Sequence, residues 1–156
     1  GARNLDSKDW EEFDEIKRNK LFSRTVRGLN NSPAHNVAIL QFEYLKKKAE
    51  SGESFVVVGR CSETILKEFE GLVSIFVLAD RDAKIARVMK KYNLDGNDAI
   101  AKMNRHDKYR KNYHNKYAKY RWGDSRSYDL SINSSRLGIE GTAKVLVDYI
   151  RFATSK

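Results

Sequence analysis

Arg60 stands immediately after a short β-branched run, in the stretch Ser54-Phe55-Val56-Val57-Val58-Gly59-Arg60-Cys61-Ser62. Phe55 to Val58 read as a buried strand, and the residues just past the carboxyl end of such a strand sit where open α/β sheets hold their ligands. A guanidinium at that place suits an anion, since its planar fork grips phosphate through paired hydrogen bonds. The same residue in a solvated loop would make a surface ion pair of little energetic weight. A second group lies in Asn104-Arg105-His106-Asp107-Lys108-Tyr109-Arg110-Lys111-Asn112-Tyr113. Asp107 and Arg110, three positions apart, share one helix face beside Arg105 or His106 of the preceding turn. There the aspartate orients the arginine, or accepts a hydrogen bond from a sugar hydroxyl while the arginine binds phosphate. An ordinary ion pair on a solvated face has the same spacing.

Tyr109, Tyr113, Tyr117 and Tyr120 recur every three or four residues among lysines and arginines. Such a stripe can stack on the bases of single-stranded nucleic acid, or it can dock the helix on its own core, which is the reading preferred here. Cys61 has the look of a nucleophile but no basic partner for its thiolate, and it reads as a small core residue. His35, His106 and His114 are scattered, with no Cys/His spacing of a zinc site, so a metal would arrive with a substrate.

Composition narrows the partners. Thirty Lys and Arg against 21 Asp and Glu leave a formal charge of +9, which favours nucleotide, nucleic acid or an acidic surface. Much of the excess lies between Lys102 and Arg126, where only Asp107 and Asp124 oppose the cations. The chain's 156 residues and 40% hydrophobic content are enough for one domain with a packed core. No apolar stretch approaches a membrane span and no leader is evident at the start, so a cytoplasmic location is the default expectation. A lone cysteine can form no internal disulfide.

The elements that must carry these residues follow from caps and periodicity. An amphipathic helix is expected over Trp10 to Phe22, capped by Asp6 or Ser7, then a basic loop to Asn31. Ser32-Pro33 starts a second helix, stopped by Gly52, with Val37, Leu40, Tyr44 and Leu45 marking its buried face. After the Phe55–Val58 strand come a short helix near Glu63–Glu70, a second strand over Val73–Ala79, and a helix opened by Asp80 or Asp82 that carries Arg87. Two apolar strands joined through a helix imply a parallel β-α-β unit. Asp95-Gly96-Asn97 introduces a long basic helix from Asp98 to Tyr120, with Gly123 as its expected cap and Trp122 buried on the sheet. Tyr128–Asn133 makes a third strand, and a last helix over Ile139–Phe152 carries Ile139, Ala143, Leu146, Val147 and Ile150 on one stripe. Three parallel strands make a thin sheet, and further strands are expected beside them, toward the N-terminus.

Taken together, VVVGRC at 56–61, FVLADRDAKIARV at 76–88, DKYRKNYHNKY at 107–117 and WGDSRSYDLSINSSRLGIE at 122–140 resemble, in order and spacing, the cytidylate kinase-like family of small nucleoside monophosphate kinases. The resemblance runs from Ser32 to about Ile150. It implies an α/β, P-loop kinase-like three-layer fold over a single domain, with residues 81–126 forming the lid and basic helix region. The activity implied is transfer of the γ-phosphoryl group of Mg²⁺-bound ATP to CMP, dCMP or a similar nucleotide. Under the resemblance Arg60 contacts the acceptor monophosphate, Asp107 addresses the sugar, Arg110 serves the phosphate region in binding and catalysis, and Arg87 binds and neutralises the transferring phosphoryl group.

Cysteine at position 61 replaces the aspartate of cytidylate kinases proper, and His106 stands where arginine is common. No G-x-x-x-x-G-K-[ST] or other Gly-rich donor loop occurs between Gly1 and Lys156, although phosphoryl transfer needs such a cradle of backbone N–H groups. In the family it sits on a first strand expected upstream of Ser7, and without it the chain is not expected to be a competent kinase alone. Two other readings follow from the same residues: a nucleotide-binding or regulatory protein that has lost catalysis, and a nucleic-acid binder acting through Lys102–Arg126.

Overall fold

The computed structural model describes residues 32–155, so the helix expected over Trp10–Phe22 and the basic loop after it lie outside the described residues. The chain divides into two compact units, Gly1–Val37 and Ala38–Lys156. The first turn of the helix that begins at Pro33 falls in the first unit, and the side-chain contacts discussed below belong to the second.

Helix α1 spans Pro33–Glu50, beginning where the backbone carbonyl of Ser32 accepts from the amides of His35 and Asn36. Gly52, at φ 74°, turns the chain away after it, as expected of a residue without Cβ strain in the left-handed region. The buried face is Ala38, Phe42 and Leu45; of the expected Val37, Leu40, Tyr44 and Leu45 only Leu45 lies on it, and Val37, Leu40 and Tyr44 are 39%, 56% and 63% exposed. Both stripes have helical spacing. The choice is made by Tyr117, against whose ring Phe42 packs edge-on at 5.3 Å between centroids.

Phe55–Val58 is a second departure. The segment has no regular secondary structure and pairs with no strand among the described residues, and Val56 and Val58 are 91% and 90% exposed. A strand exists only through hydrogen bonds to a neighbour, so a local apolar run creates the capacity for one and not the strand itself. The helix that follows is shorter than expected, α2 at Ser62–Ile65, after which turns lead to Gly71.

The sheet of the described residues therefore has two strands, not three: β1, Ile75–Leu78, and β2, Leu130–Asn133. They run parallel in the register Ile75 opposite Leu130 through Leu78 opposite Asn133. It is an α/β arrangement, helix-rich around a small sheet. Its start is pinned by Asp129, whose Oδ2 accepts from the Ser74 backbone amide at 2.7 Å and from the Ser74 hydroxyl at 2.8 Å. At the carboxyl ends Asn133 Nδ2 donates to Asp80 Oδ1 at 2.8 Å, and the Ser134 hydroxyl donates to the Leu78 carbonyl at 3.0 Å. Parallel pairing demands a long crossover. Here it comprises α3, Arg81–Tyr92, and α4, Gly96–Tyr117, which pack against each other.

Helix α4 starts where Asp95 Oδ1 accepts from the Asp98 amide at 2.9 Å, an N-cap that satisfies an orphan donor. It ends at Tyr117, three residues short of expectation. Gly123 is consequently no helix cap: at φ 81° it lies in a later turn, where an added Cβ would meet the Phe76 ring at 3.3 Å. Trp122 does pack on the sheet, edge-on to Phe76 with centroids 5.6 Å apart.

Helix α5, Ser134–Thr154, kinks at Gly138, φ 68° and ψ −179°, and contacts both strands. It turns Thr142, Leu146 and Tyr149 inward, whereas Ile139, Val147 and Ile150 of the expected stripe are 66%, 45% and 38% exposed. None of the described helices is long and apolar enough to cross a membrane.

Candidate functional site

Cationic side chains gather where α3 leaves the carboxyl end of β1. Lys84, in the first turn of α3, has its Nζ 2.8 Å from Asp107 Oδ2. The other oxygen of the same carboxylate is paired with the Arg110 guanidinium. Asp107 thus joins two helices and two cations at one point. Burial pushes its carboxyl upward, but the hydrogen bonds from Lys84 and Arg110 outweigh this and hold it below the ordinary aspartate value. The stability gained is therefore present above the ordinary carboxylate range and lost as the pH falls through the lowered value.

Arg110 also lies over the Trp122 ring, 5.4 Å from its centroid, within cation–π range. One helical turn further along α4, Tyr113 carries Arg60 over its face, the guanidinium carbon 5.4 Å from the ring centroid. Burial pushes the Tyr113 hydroxyl up to about 12 despite the neighbouring arginine. Arg60 reaches that position through an unusual turn, since Gly59, Arg60 and Cys61 have φ of 74°, 62° and 54°.

The expected site residues are thus partly assembled. Asp107 and Arg110 meet directly, and Arg60 is held one turn away on the same helix. Arg87 is exposed on α3, one turn beyond Lys84, and takes no part in the network. Lys84 is the member that sequence reasoning missed. Its only signal was a position three residues before Arg87, too common on a basic helix to single it out.

Two of the four tyrosines, Tyr113 and Tyr117, dock the helix on its own core, whereas Tyr109 is 46% exposed. Tyr113 and Tyr117 pack at 5.1 Å and Tyr117 meets Phe42, while Tyr120 falls beyond the helix and lies under Arg126 at 4.4 Å. Cys61 is buried, 2% exposed, with its Sγ 3.9 Å from the His114 carbonyl. Burial, with the Glu63 carboxylate nearby, pushes its thiol up to about 12. In the folded protein at pH 8 its alkylation by iodoacetamide is expected to be at least about 10²-fold slower than in urea, because only about 10⁻⁴ of it is thiolate. Equal rates in the two states would show an open, reactive cysteine.

A cavity of about 530 Å³ lies among Gly71, Leu72, Val73, Asp129 and Tyr149, at the amino ends of the strands. Open α/β sheets bind ligands at the opposite end. The donor set at the carboxyl end is several cations and one carboxylate already engaged by two of them, which suits a phosphate-bearing anion rather than a bare metal ion.

A small parallel sheet and basic crossover helices thus surround a cluster of cations about Asp107. A profile described as the cytidylate kinase-like family matches residues 1–136, and the chain belongs to that family. A crystal structure of an uncharacterized protein from Eubacterium ventriosum ATCC 27560 is similar to it, with 41% identity and a TM-score of 0.72, over 76% of this chain and 74% of that one. No curated protein matches the chain.

Proposed function

We propose that this protein is a nucleoside monophosphate kinase acting on CMP, dCMP or a similar nucleotide, and that the described residues supply its acceptor side. The observation that carries the reading is the Lys84–Asp107–Arg110 network with Arg60 held on the same helix, at the carboxyl end of β1. In the reaction an oxygen of the acceptor monophosphate bonds to the γ-phosphorus of ATP as the bond to the β-phosphate oxygen breaks, yielding a nucleoside diphosphate and ADP. Such a transfer asks the protein for positioning and charge neutralisation, and for no covalent step.

Each cation has a part in this reading. Arg60 grips the acceptor phosphate and Arg110 the transferring group. Both oxygens of Asp107 are engaged, but each retains a lone pair, so a sugar hydroxyl bonds there in addition to Lys84 and Arg110. Arg87 offsets the charge of the donor phosphates. Mg²⁺ supplies further neutralisation when it arrives on ATP, held by the nucleotide's own oxygens. Closure of the α3–α4 region over the nucleotides excludes water and limits wasteful hydrolysis.

The test is to incubate full-length protein with Mg²⁺, ATP and CMP, dCMP or UMP. Formation of the diphosphate and ADP in equal amounts is expected with the cytidine nucleotides. A second reading, a nucleotide-binding protein without catalysis, draws on the same cluster, since Arg60, Asp107 and Arg110 would bind a nucleotide whether or not a phosphoryl group is transferred. Calorimetric binding of CMP with no consumption of ATP would establish it in place of the kinase.

A further inference from the structure

The strained turn that presents Arg60 is fastened by a buried acid–imidazole pair. Arg60 and Cys61, neither of them glycine, occupy the left-handed region at φ 62° and 54°, a conformation that is strained for residues with a Cβ and persists only where its surroundings enforce it. Backbone hydrogen bonds within the turn are few: the Ser62 amide donates to the Gly59 carbonyl at 3.3 Å, and the amides of Thr64 and Ile65 donate to the Cys61 carbonyl. Enforcement comes instead from across the chain. Glu63 Oε1 is 2.8 Å from His114 Nε2, and the two side chains are 10% and 6% exposed. This hydrogen bond ties the Glu63 carboxyl group to the α4 imidazole across 51 positions of sequence. The Thr64 hydroxyl donates to the same oxygen at 2.9 Å.

The remaining contacts lead to the same two helix positions. His114 Nδ1 is buried with no partner, so Glu63 is the imidazole's one anchor among the described residues. Cys61 Sγ rests on the carbonyl of His114, and the neighbouring Tyr113 lies beneath Arg60. All this grips α4 one turn beyond Arg110.

We propose that Glu63 and His114 are positioning residues for Arg60: their buried hydrogen bond seats the Gly59–Cys61 turn on α4 and thereby sets where the Arg60 guanidinium lies relative to Arg110 and Lys84. Neither residue touches the ligand. The ligand, a nucleoside monophosphate, rests on the function proposed above, whereas the seating of the turn does not.

Two measurements on the full-length protein test this. The first uses calorimetry with CMP and with cytidine, which lacks the phosphate. Glu63→Ala is expected to weaken CMP about tenfold or more and leave cytidine unchanged, with Glu63→Gln, which still hydrogen-bonds the imidazole, close to wild type. Because Glu63 acts through Arg60, the Arg60→Ala/Glu63→Ala double variant should bind CMP no worse than Arg60→Ala alone. Equal losses for CMP and cytidine, or additive losses in the double variant, overturn the proposal.

The second measurement needs no ligand. In a crystal structure of Glu63→Ala, or of Glu63→Asp if the alanine variant does not fold, residues 60 and 61 should leave the left-handed region. If they keep φ near 60°, the pair does not seat the turn and the proposal fails. Wild-type protein that binds no CMP would instead overturn the substrate reading, leaving this second result to decide the positioning role.

Discussion

Arg60→Ala in the full-length protein is expected to lower kcat/KM for CMP by roughly 10²- to 10³-fold, the loss of one or two charge-assisted hydrogen bonds to phosphate. The melting temperature should stay close to wild type. The side chain is only half-buried, and its stacking over Tyr113 contributes on the order of 0.5–1 kcal/mol. Arg60→Lys should recover only part of the loss, because an ammonium is a point charge and lacks the planar fork. Steady-state kinetics over a range of CMP concentrations, beside thermal melts of each variant, make the measurement. Turnover at the wild-type level in Arg60→Ala would remove Arg60 from the site and return it to the role of a loop cation on an aromatic ring.

Arg110→Ala should act differently, chiefly on kcat at saturating CMP, with a loss of roughly 10²-fold or more if the arginine meets charge that develops during transfer. Its side chain is 58% exposed, so stability has little to lose. The variant leaves Asp107 paired with Lys84 at 2.8 Å, which keeps α3 and α4 joined and isolates the electrostatic effect. A pure rise in KM would assign Arg110 to ground-state binding. No change in either constant would leave it a surface ion-pair partner, and the cluster would then lack its catalytic member.

The network that these variants probe was half legible in the chain. Asp107 and Arg110 stand three apart within one helix, so periodicity alone puts them together. Their third partner, Lys84, is 23 residues away in sequence, and the Glu63–His114 pair spans 51. No local rule couples such positions. His114 in particular sits on a polar, basic helix where nothing but the packing of α2 against it marks it as buried.

The helices divide in the same way. Pro33–Glu50 is announced by the capping signal at Ser32-Pro33, Gly96–Tyr117 by the turn residues Asp95-Gly96-Asn97 at its start, and α3 by its period, because capping, turn chemistry and i, i+4 spacing are local properties. Which side of each helix is buried is not local. Helix α1 offers two apolar stripes, and α5 turns Thr142 and Tyr149 inward while Ile139 and Val147 face out. The aromatic partner Tyr117 chooses in the first case and contact with the two strands in the second. Phe55–Val58 failed as a strand because a strand is a relation between two segments.

Residue order by itself thus determined the strong positive charge of this protein, the positions of its main helices and its membership among cytidylate kinase-like proteins, since charge, capping and motif spacing all reside in neighbouring residues. Tertiary structure alone decided that Lys84 joins Asp107, that Arg60 rides on Tyr113, and that a buried carboxylate and imidazole fasten the turn between them. Those are pairings of side chains far apart along the chain, and only the packing of α2, α3 and α4 brings them within hydrogen-bonding distance.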